Sequence, residues 1–318
     1  MRYILTCQND TRRKKNYCQI HHPNFPMLHH FLLTRFALRL WQTDKNGRPI
    51  DYRVWLAERF ALFERYTLPS VLSQDDQRFT WILLVERTSD ESVMTSLREK
   101  MESYKHLSPA ILPIFIREGH GGSFCKIFSE VVSHCLAERH AAVGDICLTT
   151  YLDNDDTLRH DYSSVIRRIA ADSFQPYTFI SFDYGLQYFT DIGLATRIYY
   201  PNNHFMTLME PVKASGRVRT CYGYGSHFLL AENYGRDIVR HIDSRDTPMW
   251  IEIVHGHNVD NDVKMTLHTR IMTDSAYLSR HFGLQGITLS YRFFTVIRFV
   301  VRALQQIVRR LSDKITRR

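Results

Sequence analysis

Apolar residues fall into two recurring patterns along the chain. Short, nearly continuous apolar runs alternate with longer stretches whose apolar positions recur every three to four residues. The first pattern suits strands buried on both faces, and the second suits helices with one face on a core. The run around His30–Arg35 is the first predicted strand, and Asp44-Lys45-Asn46-Gly47 supplies loop chemistry after it. Leu56, Phe60 and Phe63 share one helical face over Arg53–Tyr66, and Pro69 is expected to stop or restart that helix. Strands are then predicted at Phe79–Val85, Ala110–Ile116 and Ile146–Thr150, with helices at Ser92–Tyr104 and Ser123–Arg139 between them. A less regular second half predicts helices at His160–Asp172 and His227–Tyr234, and strands at Thr178–Phe182, Leu194–Tyr200 and Met249–Val254. Strand and helix thus alternate at the spacing of βαβ units. This predicts an α/β fold: a mostly parallel sheet with helices on both faces, and a ligand crevice beyond the carboxyl ends of the strands.

The ends of the chain read differently. Residues 1–27, with the basic cluster Arg12-Arg13-Lys14-Lys15, are expected to form a poorly ordered lead-in to a domain over 28–285. From Thr288 onward, Leu289, Phe293, Val296, Ile297, Val300, Val301, Leu304, Ile307, Val308 and Leu311 recur at helical spacing. Eight cations lie among them against the single Asp313, so nearly all of the chain's net charge of +8 belongs to this tail. Residues 286–318 are therefore expected to form a basic amphipathic C-terminal helix, suited to a membrane interface with anionic head groups. A terminal helix packed on the domain has similar periodicity. The near-neutral body argues against a nucleic-acid partner.

Composition adds little beyond this. With 44% apolar and 23% charged residues, the 318-residue chain can bury a sizeable core. No run of 18 uncharged apolar residues predicts a spanning helix. Met1–Leu5 does not read as a secretory signal. The scattered cysteines, without a CxxC pair, suggest free thiols in a reducing compartment. A cytoplasmic protein, peripheral on the inner face of the cell membrane, is the expected location.

Candidate chemistry concentrates in Asp153-Asn154-Asp155-Asp156, directly after the strand predicted to end at Thr150. Three carboxylates in four residues repel one another. A divalent cation removes that repulsion, since hard carboxylate oxygens are preferred ligands of Mg²⁺ and Mn²⁺, and it can keep positions open for a diphosphate. The plainer alternative is that Asp155 or Asp156 caps a helix starting near Leu158.

This segment, Thr149-Thr150-Tyr151-Leu152-Asp153-Asn154-Asp155-Asp156, resembles the DxD region of GT-A glycosyltransferases, and more narrowly that of a bacterial rhamnosyltransferase family. Leu33-Thr34-Arg35-Phe36, the stretch Leu62–Ser70, Gln74, Phe79-Thr80-Trp81-Ile82 and Val254-His255-Gly256-His257-Asn258-Val259 also fit, in the expected order over about residues 30–260. The resemblance implies a GT-A fold with a Rossmann-like nucleotide-binding half, a nucleoside-diphosphate sugar donor and a divalent metal, Mn²⁺ or Mg²⁺. It implies Asp153 near the ribose or a metal-bound water, and Asp155 as the direct metal and diphosphate contact. The family pattern commonly carries Arg where this chain has Tyr151 and Asp where it has Glu86, and the second departure leaves the nucleobase open.

Further candidates follow from position. His255 is the expected third metal ligand, with Gly256 allowing close backbone approach, against the alternative of an ordinary loop histidine. Thr34 and Arg35 end the first strand, where the nucleotide is expected, and the Arg35 fork matches two phosphate oxygens. An inverting transferase needs a carboxylate to take the acceptor hydroxyl's proton. Glu210 and Asp183 are the catalytic candidates, with Glu210 favoured; a retaining course requires neither. Gly119–Gly122 lacks the lysine of a phosphate-binding loop and reads as a turn. The expected activity is metal-dependent transfer of a sugar, rhamnose or another hexose, to a glycan or lipid-linked acceptor in surface polysaccharide synthesis. Two other readings stay open at this level: a nucleotidyl- or phosphotransferase, and a non-catalytic membrane-associated adaptor.

Overall fold

The computed structural model describes residues 26–43, 48–255, 263–265, 269–290 and, toward the C-terminus, 292, 293, 295–301 and 303–305. The expected lead-in over 1–27 lies almost wholly outside these residues. So does the basic end of the tail: Arg302, Arg309, Arg310, Lys314, Arg317 and Arg318.

Strand β1 (Leu28–Ala37) is flanked by β2 (Phe79–Glu86) and β4 (Ile146–Tyr151), both parallel to it, and β3 (Ile111–Ile116) extends the sheet beyond β2. The alternation of the pleat explains the apolar runs. In β1, Leu32 and Phe36 face one helical layer, whereas Phe31 and Leu33 face the other. Helix α1 (Tyr52–Leu62) is capped by Asp51, and α3 (Glu91–Leu107) by Asp90, each carboxylate accepting two backbone N–H bonds. Pro69 does not stop the first helical stretch. A π-helical turn over Phe63–Thr67 leads into α2 (Leu68–Leu72), placing Pro69 in a first turn, where no N–H is required of it. Helices α4 (Phe124–Glu138) and α5 (Tyr162–Asp172) cover opposite sides of the sheet, as the alternation predicted.

The expectation of a mostly parallel sheet needs correction. The first sheet has seven strands in the order β10-β6-β9-β4-β1-β2-β3, and β9 (Thr207–Pro211) runs antiparallel between β4 and β6 (Thr178–Phe182). β10 (Val239–Ile242) pairs parallel to β6 at the edge. A second, five-stranded sheet was not foreseen. It consists of β5 (Thr157–Leu158), β7 (Tyr184–Phe189), β8 (Leu194–Tyr199), β11 (Trp250–Val254) and β12 (Arg270–Met272), also mixed. Only Asp183 separates β6 from β7, so the chain passes from one sheet to the other within a residue. Gly185 on β7 makes room for the Trp250 ring: a Cβ there would lie 2.1 Å from it. The buried indole in turn donates from Nε1 to the Phe182 carbonyl at 2.9 Å, tying the two sheets together. Short helix α6 (Leu230–Tyr234) follows a single turn of 3₁₀ helix over His227–Leu229, and α7 (Ser275–Phe282) packs Leu278 and Phe282 against the second sheet.

Among the described residues beyond 292 the chain is helical from 293 to 305. Phe299 and Ala303 are buried against Phe189, Leu194 and Val254, while Ile297, Val300, Val301 and Leu304 are exposed. One face of this segment thus docks on the domain and leaves other apolar positions outside. Among the described residues, no helix is long and apolar enough to cross a membrane.

Candidate active site

The carboxyl ends of β1 and β4 meet at one edge of the first sheet, where Leu33 pairs with Tyr151. The next residues of each strand build the site. Arg35 extends from β1 with its guanidinium 5.2 Å from the centre of the Phe124 ring and 5.3 Å from that of Tyr222, and donates to Asp153 Oδ1 at 3.1 Å. Cation–π contact on two rings fixes the direction of the fork, leaving it partly exposed beside a partly exposed carboxylate.

The acidic segment is divided between two surroundings. Asp156 is almost fully buried; its Oδ1 accepts from the Ile253 N–H of β11 at 2.8 Å, and its Oδ2 lies 2.7 Å from His204 Nε2. Asp153, Asp156 and His204 each bring one ligand atom within 4.8 Å of the others, a set of two oxygens and one nitrogen suited to Mn²⁺ or Mg²⁺. Asp155 turns elsewhere. Its Oδ2 receives Arg59 Nη1 from α1 at 2.8 Å and lies 3.0 Å from His255 Nε2, all three side chains being nearly excluded from water. Neither aspartate caps a helix: Thr157–Leu158 forms β5, and α5 begins only after Asp161.

Protonation follows these surroundings. Burial pushes the Asp156 carboxyl upward, and the negative charges of Asp155 and Asp153 add to this against the His204 hydrogen bond. Burial would lower His204, but its bond to Asp156 and the charges of Asp156, Asp153 and Glu252 more than reverse that, leaving it raised. Burial would raise Asp155, yet the His255 bond and the Arg59 charge overcome it and hold the carboxyl low.

Of the residues anticipated from sequence, Asp153 and Arg35 meet directly, and Asp155 meets His255. Asp183 follows β6 at the same edge. Thr149 and Phe179 both pair with Leu208 of β9, so the carboxyl ends of β4 and β6 lie at one level, about two strand spacings apart, roughly 10 Å. Burial raises the Asp183 carboxyl, and its Oδ1 lies 2.8 Å from His241 Nδ1. Glu210 and Thr34 are not brought together with these groups. Glu210 pairs with Cys147, four residues before the end of β4, so it sits roughly 13 Å down the sheet from the strand's carboxyl end. Its buried oxygens accept the N–H groups of Arg219 and Thr220 at 3.1 and 2.8 Å and hold that turn. The buried Thr34 hydroxyl is likewise committed, accepting from the Trp81 indole at 2.9 Å. His257 and Gly256 lie outside the described residues.

His204 and Arg59 were not anticipated. His204 stands 48 residues beyond Asp156 with no neighbouring motif, and nothing in the sequence marks it. Arg59 did carry a signal: it falls three residues after Leu56, on the apolar stripe of α1, where an arginine requires a buried partner. Glu86 also has a defined role. Its oxygens accept from Arg39 N at 2.9 Å and Gly119 N at 2.7 Å, so this carboxylate shapes the loops after β1 and β3.

The sequence model of the family described as "Putative rhamnosyl transferase" matches residues 48–267, well over half the chain. The chain belongs to this family. No curated protein sequence matches it. Among solved structures, that of TarS from S. aureus is similar over 72% of this chain and 37% of its own, with 8% identity and a TM-score of 0.35. The chain therefore spans little more than a third of that protein's length.

Proposed function

We propose that the protein transfers a sugar, rhamnose or another hexose, from a nucleoside-diphosphate donor to a glycan or lipid-linked acceptor, with a divalent cation held by Asp153, Asp156 and His204. The observation that carries this reading is the convergence of those three side chains at the carboxyl edge of β4, with the Arg35 fork alongside. When bound, Mn²⁺ or Mg²⁺ supplies Lewis-acid neutralisation of the leaving diphosphate. Arg35 presents N–H donors to phosphate oxygens in a direction set by its two ring contacts. Asp155, held by Arg59 and His255, fixes the backbone between the two metal-facing aspartates. For an inverting course, Asp183 is the carboxylate at the correct edge to take a proton from the acceptor hydroxyl, and His241 orients it. The exposed apolar positions of the C-terminal segment, with the arginines that follow, suit a membrane surface on the cytoplasmic side, where a lipid-linked acceptor would be presented.

The reading is tested by donor turnover. UDP-, GDP- and dTDP-hexoses, dTDP-rhamnose among them, are incubated with the protein, and release of the diphosphate is followed. One donor is expected to be turned over with Mn²⁺ or Mg²⁺ and not with excess EDTA. Turnover of none in either metal counts against the proposal, and turnover that persists in EDTA removes the metal from it.

A further inference from the structure

A row of rings runs outward from His204, at the acidic site, through His227 and Phe228 to Tyr200. The His204 ring lies 5.8 Å from that of His227, which is 3.9 Å from Phe228, and Phe228 is 6.2 Å from Tyr200. Phe228 is 56% exposed although it stands next to a buried site. Lys264 closes the other side, its ammonium 4.5 Å from the centre of the Tyr200 ring and bound to the buried Glu252 carboxylate. His227 is held in one tautomer. Its Nδ1 lies 2.8 Å from the Asn202 carbonyl oxygen, which can only accept, so Nδ1 carries the proton and Nε2 of the neutral ring presents a lone pair.

An exposed flat apolar face, a fixed hydrogen-bond acceptor and a polar rim within a few ångströms match one kind of ligand. A pyranose has an apolar C–H face and a rim of hydroxyls, and it needs both kinds of surface at that spacing. An acyl chain needs only apolar surface; Leu229, exposed beside Phe228, would suit it, but the imidazole and ammonium would not. We propose that His227, Phe228 and Tyr200 form the acceptor subsite, taking a saccharide with a ring face on Phe228 and a hydroxyl donated to His227 Nε2. This rests on the transferase reading for its purpose, since a sugar seated there lies beside the site assigned to the donor. The contact from His204 to His227 makes the two subsites continuous.

The probes are methyl pyranosides of gluco, galacto, manno and rhamno configuration together with hexyl glucopyranoside, followed by saturation-transfer NMR. Saturation is expected on ring protons of at least one glycoside. Phe228→Ala should weaken its binding roughly fivefold, as for loss of one ring contact. His227→Ala should weaken it too, with both variants melting as the wild type does. The proposal is overturned by ring protons that stay unsaturated in every glycoside, by saturation confined to the hexyl chain, or by variants that bind as the wild type. Melting of the wild type with nucleoside diphosphates reports separately on the donor site. A diphosphate response without glycoside binding overturns the acceptor subsite alone; glycoside binding lost in Phe228→Ala without a diphosphate response sustains the subsite and counts against the transferase.

Discussion

Asn in place of Asp156 should lower metal-dependent donor turnover by about 10²- to 10³-fold, the effect of losing one aligned electrostatic stabiliser. The same variant should melt no lower than the wild type when no metal is present. Both parts follow from one environment. The Asp156 carboxyl is buried between Ile253 and His204, with Asp155 and Asp153 close enough to raise it further. An amide keeps the oxygen that accepts the Ile253 N–H and removes a charge that burial and its neighbours disfavour. It also removes one carboxylate from the three side chains proposed to hold the cation, so manganese affinity should fall at least about tenfold, the scale found even for the residues behind metal ligands. Paramagnetic resonance of free Mn²⁺ and calorimetric melting measure the two halves independently. A site that weakens catalysis when its repulsion is relieved is one whose repulsion serves a ligand. An Asn variant with wild-type turnover and manganese binding would move the cation elsewhere.

Arg59→Ala should produce the largest loss of stability. The Arg59–Asp155 pair has side chains only 10% and 9% exposed and a separation of 2.8 Å. Removing the cation leaves a carboxylate buried with His255 as its remaining partner, which costs about 3–5 kcal/mol, a fall in melting temperature of roughly ten degrees for a chain of this size. The charge need not be replaced for stability to return. Arg59→Leu combined with Asp155→Asn should recover most of the loss, because the cost lies in the unpaired charge rather than in the missing bond. Thermal melting of the two single variants and the double variant measures this coupling. Additive effects would show that Arg59 stabilises α1 by packing alone.

How far these features were legible depends on what each residue is paired with. β1 to β4 could be read because apolar runs such as Phe79–Val85 are buried on both faces, and α1, α3 and α4 because their apolar stripes face one core. β9 could not. It is five residues long and carries Glu210 and Pro211, and its fitness for the sheet centre comes from the Arg219 and Thr220 N–H groups that satisfy the carboxylate. Missing it made the sheet look parallel and hid the turn that Glu210 holds. β7 was hidden for the same reason: Gly185 fits only because Trp250 lies over it, and Gln187 because Glu252 receives its amide at 2.8 Å. The acidic segment was legible from carboxylate density alone. Which of its aspartates face which partner was not, because that depends on Arg59, His204 and Ile253, brought in from three other elements. His204 is delivered by Asn203, whose amide donates to Ser181 Oγ and to the carbonyls of Phe182 and Tyr200, a set of contacts with no local trace in the sequence.

The central claim is that this edge holds a nucleoside diphosphate through a metal. The measurement that tests it most directly is the melting temperature of the purified protein across UDP, GDP, dTDP, CDP and ADP, with and without Mn²⁺, repeated on Asp156→Asn. A diphosphate bound only by the folded state at a hundredfold excess over its Kd adds about 2.7 kcal/mol of stability. A manganese-dependent rise with one diphosphate, absent from the Asn variant, is the expected result and identifies the base of the donor. No rise with any of the five, in protein shown to be folded, would contradict the claim.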